Sequence, residues 1–244
     1  MICKTEAIVL RTLKHQESNV ISTLYTKEFG LRSFIIKGYR STRSRRKHSY
    51  FQPLSIIDIV FVDQANRDLQ KISESKAAII LEDIQTHPVK LSLGLALLEI
   101  FTDTVKEVEP NLPMYDCLYT TITGIDQAPN RLIHLFIWFL LHHTKHLGFF
   151  PHDKSGSASF VNFDIPKGVF HAVPNDGNPI ANLLRRFVYC TADLLPDPHS
   201  CQQLIFDSNT KRHLIKTLFD YYRVHIHGFR YPQTMKVFAE VFGE

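Results

Sequence analysis

The stretch ISTLYTKEFGLRSFIIKGYRS, residues 21–41, decides the fold. Val20 to Lys27 is short, roughly alternating and rich in β-branched residues, which predicts a strand. Phe29-Gly30-Leu31 then supplies a turn into LRSFIIKG, a strand ending at Gly38. Upstream, TEAIVLRTL (5–13) has the same character across the polar break HQESN. Downstream, LSIIDIVFV (54–62) and, after the turn-like QANRD, residues 69–75 complete the set. Five short strands in about 75 residues predict a small closed barrel of the OB type, a five-stranded barrel that binds ligands with one strand face and its loops. The basic segment between the third and fourth strands is then one of its long loops.

Beyond residue 77 the period changes. Leu91, Leu95, Leu98, Thr102 and Val105 recur at three- and four-residue steps, predicting a helix from Val89. Met114 to Ile125, Arg131 to Leu147, Ile180 to Leu195, Thr210 to Ile226 and Thr234 to Phe242 read as further helices. Residues 148–179 gather glycine and proline in pieces such as FFPHDKSGS and VPNDGNP, and read as a loop-rich insertion. The expected architecture is α+β with two domains: an OB-type barrel over residues 1–78 and an all-helical domain over 79–244 carrying the insertion at about 148–179.

Composition agrees with a packed globular chain: 244 residues, 44% hydrophobic and 21% charged. The four cysteines are too sparse for a disulfide framework, so a reducing cytosol is the expected compartment. MICKTEAIVLRTLKH breaks every apolar run too early for a signal-peptide core. The longest apolar run, Leu135 to Leu141, is far short of the ~20 residues that span a bilayer. The net charge of +4 hides an asymmetry: residues 1–80 hold 14 Lys+Arg against 7 Asp+Glu, and residues 81–244 hold 14 against 17. A polyanion contact belongs in the N-terminal third.

KGYRSTRSRRKH, residues 37–48, is the sharpest local feature. Lys37, Arg40, Arg43, Arg45, Arg46 and Lys47 meet no acidic residue there. Interleaved Ser and Thr, with Tyr39 and Tyr50 for base stacking, suit phosphate neutralisation along nucleic acid. An ordinary solvated basic loop is the plain alternative. Arg11 and Arg32 are weaker contacts on the barrel. His134, His142, His143, His146 and His152 cluster as well, and His142 with His146 shares a helix face. A zinc site wants a third or fourth ligand, so helix-end imidazoles are the simpler reading, for His225 and His227 also. Phosphate-cradling glycine loops and the G-x-S-x-G elbow are missing from the sequence, and no catalytic residue, cofactor or metal is expected.

TEAIVLRT, ISTLYTKEFGLRSFIIKGYRS with its Lys-Gly-x-Arg end, FQPLSIIDIVF and LFDYYRVHIHGFRYPQTMKVFAEVF resemble the RecO family of bacterial recombination mediators across nearly the whole chain, in the style of Bacteroidetes-like members. The resemblance implies an OB barrel, a helical C-terminal domain, and a non-enzymatic role in DNA repair. It implies binding of single- and double-stranded DNA, annealing of strands coated by single-strand-binding protein (SSB), and loading of RecA with RecR, without ATP. It also implies that the helical domain takes the acidic, apolar-ended SSB tail, and a cytoplasmic, nucleoid-associated location. Arg185-Arg186 and Lys211-Arg212 are basic pairs available for that tail, with ordinary solvated helix charges as the plain alternative for either. Many members carry a four-cysteine zinc ribbon after a Gly-aromatic-x-Pro segment. Here Gly148-Phe149-Phe150-Pro151 is followed by KSGSAS at 154–159, so zinc is expected to be absent. An OB-fold RNA-binding protein and a histidine-dependent metalloenzyme are the alternative readings.

Overall fold

The computed structural model describes residues 1–15, 17–37, 39, 50–64, 67–106, 108–191, 201 and 203–235. Two compact units divide the chain, residues 1–126 and 127–244.

Five strands form the barrel of the first unit: β1 (Ile2–His15), β2 (Asn19–Thr26), β3 (Gly30–Ile36), β4 (Ile56–Val62) and β5 (Leu69–Ala77). Their order is β1-β2-β3-β5-β4, closed by the antiparallel β1–β4 pair, with β3 and β5 parallel. This is the OB arrangement the sequence predicts. Alternation sends Ala7, Val9, Leu24, Phe34, Ile57 and Phe61 into a common interior. The β1–β2 register slips between Val9 and Arg11, so Leu10 is a bulge residue. Past it the inward and outward sets of β1 exchange places. The fourth strand starts two residues later than its apolar run: Leu54 is a turn residue at φ 74°, held by its N–H to the Val9 carbonyl at 3.0 Å.

Helices α1 (Pro88–Thr104) and α2 (Leu112–Gln127) belong with the barrel rather than with the later helices. Pro88 sits in the first turn of α1, where its missing N–H costs nothing. Tyr25, facing outward from β2, is buried between Phe101 of α1, with ring centroids 4.8 Å apart, and Tyr115 of α2 at 6.4 Å. Tyr115 donates to Glu6 at 3.0 Å, and burial together with that carboxylate raises its pKa. One end of the barrel's outer surface is thereby covered. Asp126, near the end of α2, accepts the backbone N–H groups of Glu82, Asp83 and Ile84 at 3.2, 2.9 and 2.8 Å, tying down the segment between β5 and α1.

The second unit holds α3 (Leu132–His146), α4 (Pro179–Thr191) and α5 (Ser208–His225), mutually packed. Asp207 caps α5 by accepting the Thr210 N–H at 2.7 Å. The insertion carries more order than loops: β6 (His152–Asp153), β7 (Val161–Asp164) and β8 (Val169–Ala172) make a three-stranded sheet in the order β6-β8-β7. It is fastened by side chains of its own unit. Arg185 donates to Ser155 Oγ at 2.8 Å and to the Ala158 carbonyl at 3.0 Å, and Tyr189 donates to Asp153. The helix expected at 234–242 lies outside the described residues except for Thr234 and Met235, which are helical.

Candidate nucleic-acid interface

Strand register decides which barrel residues share an outward row. Arg11 pairs with Thr23, Thr23 with Ser33, and Ser33 with Leu69. The next row runs Leu13, Ile21, Ile35, Lys71. Arg11, Leu13 and Lys71 are exposed, and Ile21, Ser33, Ile35 and Leu69 are half-buried. Arg11 Nε donates to Thr23 Oγ1 at 3.3 Å, which holds the guanidinium along the sheet. These two rows contain no carboxylate. Together they offer an apolar strip for base faces, flanked by an arginine and a lysine for phosphates, which is the chemistry of single-strand recognition.

Of the residues expected to bind DNA, Arg11 stands in this face and Lys37, exposed, lies just past the end of β3. Arg32 is half-buried and pairs with Leu24, on the strand face that sends Phe34 and Ile36 inward. Tyr39 and Tyr50 are partly buried and pack against the barrel core, and burial pushes the Tyr39 hydroxyl pKa up. Arg40, Arg43, Arg45, Arg46 and Lys47 lie outside the described residues. Lys71, Leu13, Ile21 and Ile35 form no motif in the sequence. The only signal for them is alternation, whose phase changes at Leu10.

His134, His142 and His143 of α3 are buried core groups, and His146 at its end is half-buried. His142 stacks on Trp138 and His143 on Phe139, with ring centroids 4.9 and 5.1 Å apart. Burial, then the neighbouring His146, pushes their pKa values down to about 4 and about 3. Both rings are therefore neutral at pH 7. His134 Nε2 lies 2.7 Å from the Leu204 carbonyl, and His225 Nε2 lies 3.0 Å from that of Ile165.

The second unit has a separate recess of about 630 Å³. Ile133, Ile215, Phe219, Tyr231 and Met235 give it apolar walls, and Lys211, Arg212, Lys216 and Arg223 give it cations. Asp220 also lines it, engaging Lys216 at 2.6 Å and Arg223 at 4.0 Å. Lys211 and Arg212 have no ion pair among the described residues. The basic pairs thus part ways: Lys211 and Arg212 border an apolar recess, whereas Arg185 is turned onto the small sheet.

No helix among the described residues is long and apolar enough to cross a membrane. Residues 1–79 match the family described as Recombination protein O N terminal, and residues 85–234 match Recombination protein O C terminal. The DNA repair protein RecO of Christiangramia forsetii is 28% identical over 248 residues, covering 100% of both chains. Those of Flavobacterium johnsoniae and Flavobacterium psychrophilum are each 30% identical over 246 residues, covering 99% of this chain and 100% of the relative. With both halves matched in order and relatives aligned end to end, the chain belongs to the RecO family of DNA repair proteins.

Proposed function

We propose that this chain is a DNA-binding recombination mediator that anneals SSB-coated single strands and, with RecR, assists RecA loading, without ATP and without catalysing a covalent step. The observation that carries the reading is the outer face of the barrel, where Arg11 and Lys71 flank the strip of Leu13, Ile21 and Ile35. Such a face holds a strand by its phosphates and base planes, leaving base identity largely unread. Two strands held by cations repel each other less, and pairing itself supplies the driving force for annealing. Lys37, Arg40, Arg43, Arg45, Arg46 and Lys47 are the main phosphate contacts, with Arg11 and Arg32 as lesser ones and Tyr39 and Tyr50 as stacking groups. The location that goes with this role is the cytoplasm, at the nucleoid.

The same reading gives the recess on the second unit to the SSB tail. Its apolar walls would take the peptide's apolar end, and Lys211 and Arg212 its carboxylates.

Annealing of SSB-coated complementary oligonucleotides should accelerate on adding the full chain without nucleotide triphosphate; no acceleration refutes mediator function. On single strands, six phosphate contacts give a slope of log K against log salt near about −4, and replacing Arg43, Arg45 and Arg46 with Ala should flatten it by about 2. In a fluorescence titration with an SSB-tail peptide, Lys211→Ala with Arg212→Ala should weaken binding about tenfold or more, while Arg186→Ala leaves it unchanged. The reverse pattern would move the peptide off this recess.

A further inference from the structure

The barrel's outer face ends at a gap. The β3–β5 ladder spans only Ser33 to Ile35 against Leu69 to Lys71, yet β5 continues to Ala77. Between Ile72 and Glu74 the strand also slips register against β4, so Ser73 is a bulge residue, and bulges bend the strand that carries them. At this divergence lies a slot of about 560 Å³, within the range of roughly 300–1,000 Å³ usual for small-ligand sites. Its floor is apolar: Ile36 and Phe51 are buried, and Ile72 packs half-buried against the same core. Its rim is polar, with exposed Lys37 and Lys71, the hydroxyls of Ser73 and Ser75, and Glu74 as the single carboxylate among its described lining residues.

We propose that this slot accepts one unstacked base of a single strand lying across the outer face. The inference rests on the DNA-binding reading above and adds a defined subsite to it. Lys71 belongs to both features. It closes the Leu13–Ile21–Ile35 row and lines the slot, so a phosphate held there places its own or the next base over the slot mouth. A nucleotide matches the site's division of chemistry, since a flat, largely apolar base meets the floor while an anionic phosphate meets two lysines. The serines add neutral hydrogen-bonding groups that suit base edges and sugar. In a duplex the base is paired and stacked, and turning it outward carries an unpairing cost that a single strand does not bear. Occupancy of the slot therefore favours single strands.

The test uses the full-length chain and a photoreactive thymidine oligonucleotide carrying 5-iodouracil, with cross-linked peptides mapped by mass spectrometry. Cross-links are expected at residues 36–37, at Phe51 and within residues 71–75. Ser73→Trp fills the slot from an exposed position; it should abolish those cross-links and weaken single-strand binding about fivefold or more, the worth of one stacked base. Lys71→Ala, a surface change that leaves the core intact, should flatten the single-strand salt slope by about 0.7. If the wild-type chain binds DNA but cross-links map elsewhere, or if both variants bind like wild type, the slot is refuted and the DNA reading stands. If the wild-type chain does not bind single strands at all, both fall together.

Discussion

Replacing Asp126 with alanine should cost about 3 kcal/mol, and the figure follows from what its carboxylate holds. Three backbone N–H groups converge on it, from Glu82, Asp83 and Ile84. Hydrogen bonds to a charged partner contribute roughly 1.5–3 kcal/mol each, but the three differ in what replaces them. Glu82 and Asp83 are exposed, so water recovers most of the loss, whereas Ile84 is fully buried and its N–H would be stranded, costing about 1–3 kcal/mol by itself. The neighbouring Lys90 ammonium is buried too, donating to the Asp126 carbonyl at 2.6 Å and to the Asp83 carboxylate at 2.8 Å. Loosening the 82–84 segment weakens that second contact. With a urea dependence of about 3 kcal/mol/M, the unfolding midpoint of the first unit should fall by about 1 M. Urea titration read by hydrogen exchange on the barrel amides isolates that unit from the other. Asp126→Asn keeps an acceptor oxygen and should recover more than half of the loss. A midpoint within about 0.3 M of wild type for the alanine variant, or an asparagine variant as weak as the alanine, would refute the reasoning.

Gly30→Ala should cost about 3 kcal/mol or more in thermal unfolding. An added Cβ would lie 2.4 Å from the Glu109 carbonyl oxygen and 2.5 Å from that of Val108, at φ 65°, where a side chain alone costs about 1–2 kcal/mol. Acidification should destabilise the second unit. His142 and His143 stay neutral when folded while the unfolded chain takes up protons below about pH 6.5, so stability falls as pH drops from there toward about 4, by at most about 1.4 kcal/mol per pH unit for each ring. His143→Gln should flatten that pH dependence of the urea midpoint, and an unchanged profile would contradict it. Arg185→Ala should release the small sheet, with amide exchange over residues 152–172 about thirtyfold faster for a loss of about 2 kcal/mol and little change in α5.

The barrel was legible because four of its strands are rich in β-branched and other apolar residues and separated by polar breaks, signals that survive without tertiary context. Leu10 was not legible as a bulge. The run Ile8-Val9-Leu10 is apolar throughout, and only pairing with β2 shows where the phase turns. That turn is what exposes Arg11 and Leu13 together, so half of the proposed interface was hidden with it. Lys71 is one cation in an unremarkable strand, LQKISESKA, and acquires meaning only from the row it completes. The small sheet reads as loops in the sequence because β7 and β8 have four residues each and β6 only two, too few for a period to declare itself. The pairs Arg185-Arg186 and Lys211-Arg212 looked alike in sequence, and a difference appears only once Ser155 and Ala158 are seen to engage Arg185.

The three-residue β3–β5 ladder gives the barrel a weak line. Every other seam is an antiparallel ladder of at least five paired positions, while this one is parallel and brief, and parallel pairing is slightly weaker per residue. A cylinder closed mostly by long ladders opens first along its shortest one, so those amides within Ser33–Ile35 and Leu69–Lys71 that face each other across this seam should exchange by a local parting well below the global unfolding energy. The barrel then behaves as a curled sheet with a latch. Any strand laid over Ile35 and Lys71 bridges that latch from outside, so binding should slow exchange most at the seam and make the barrel's closure partly a property of its ligand.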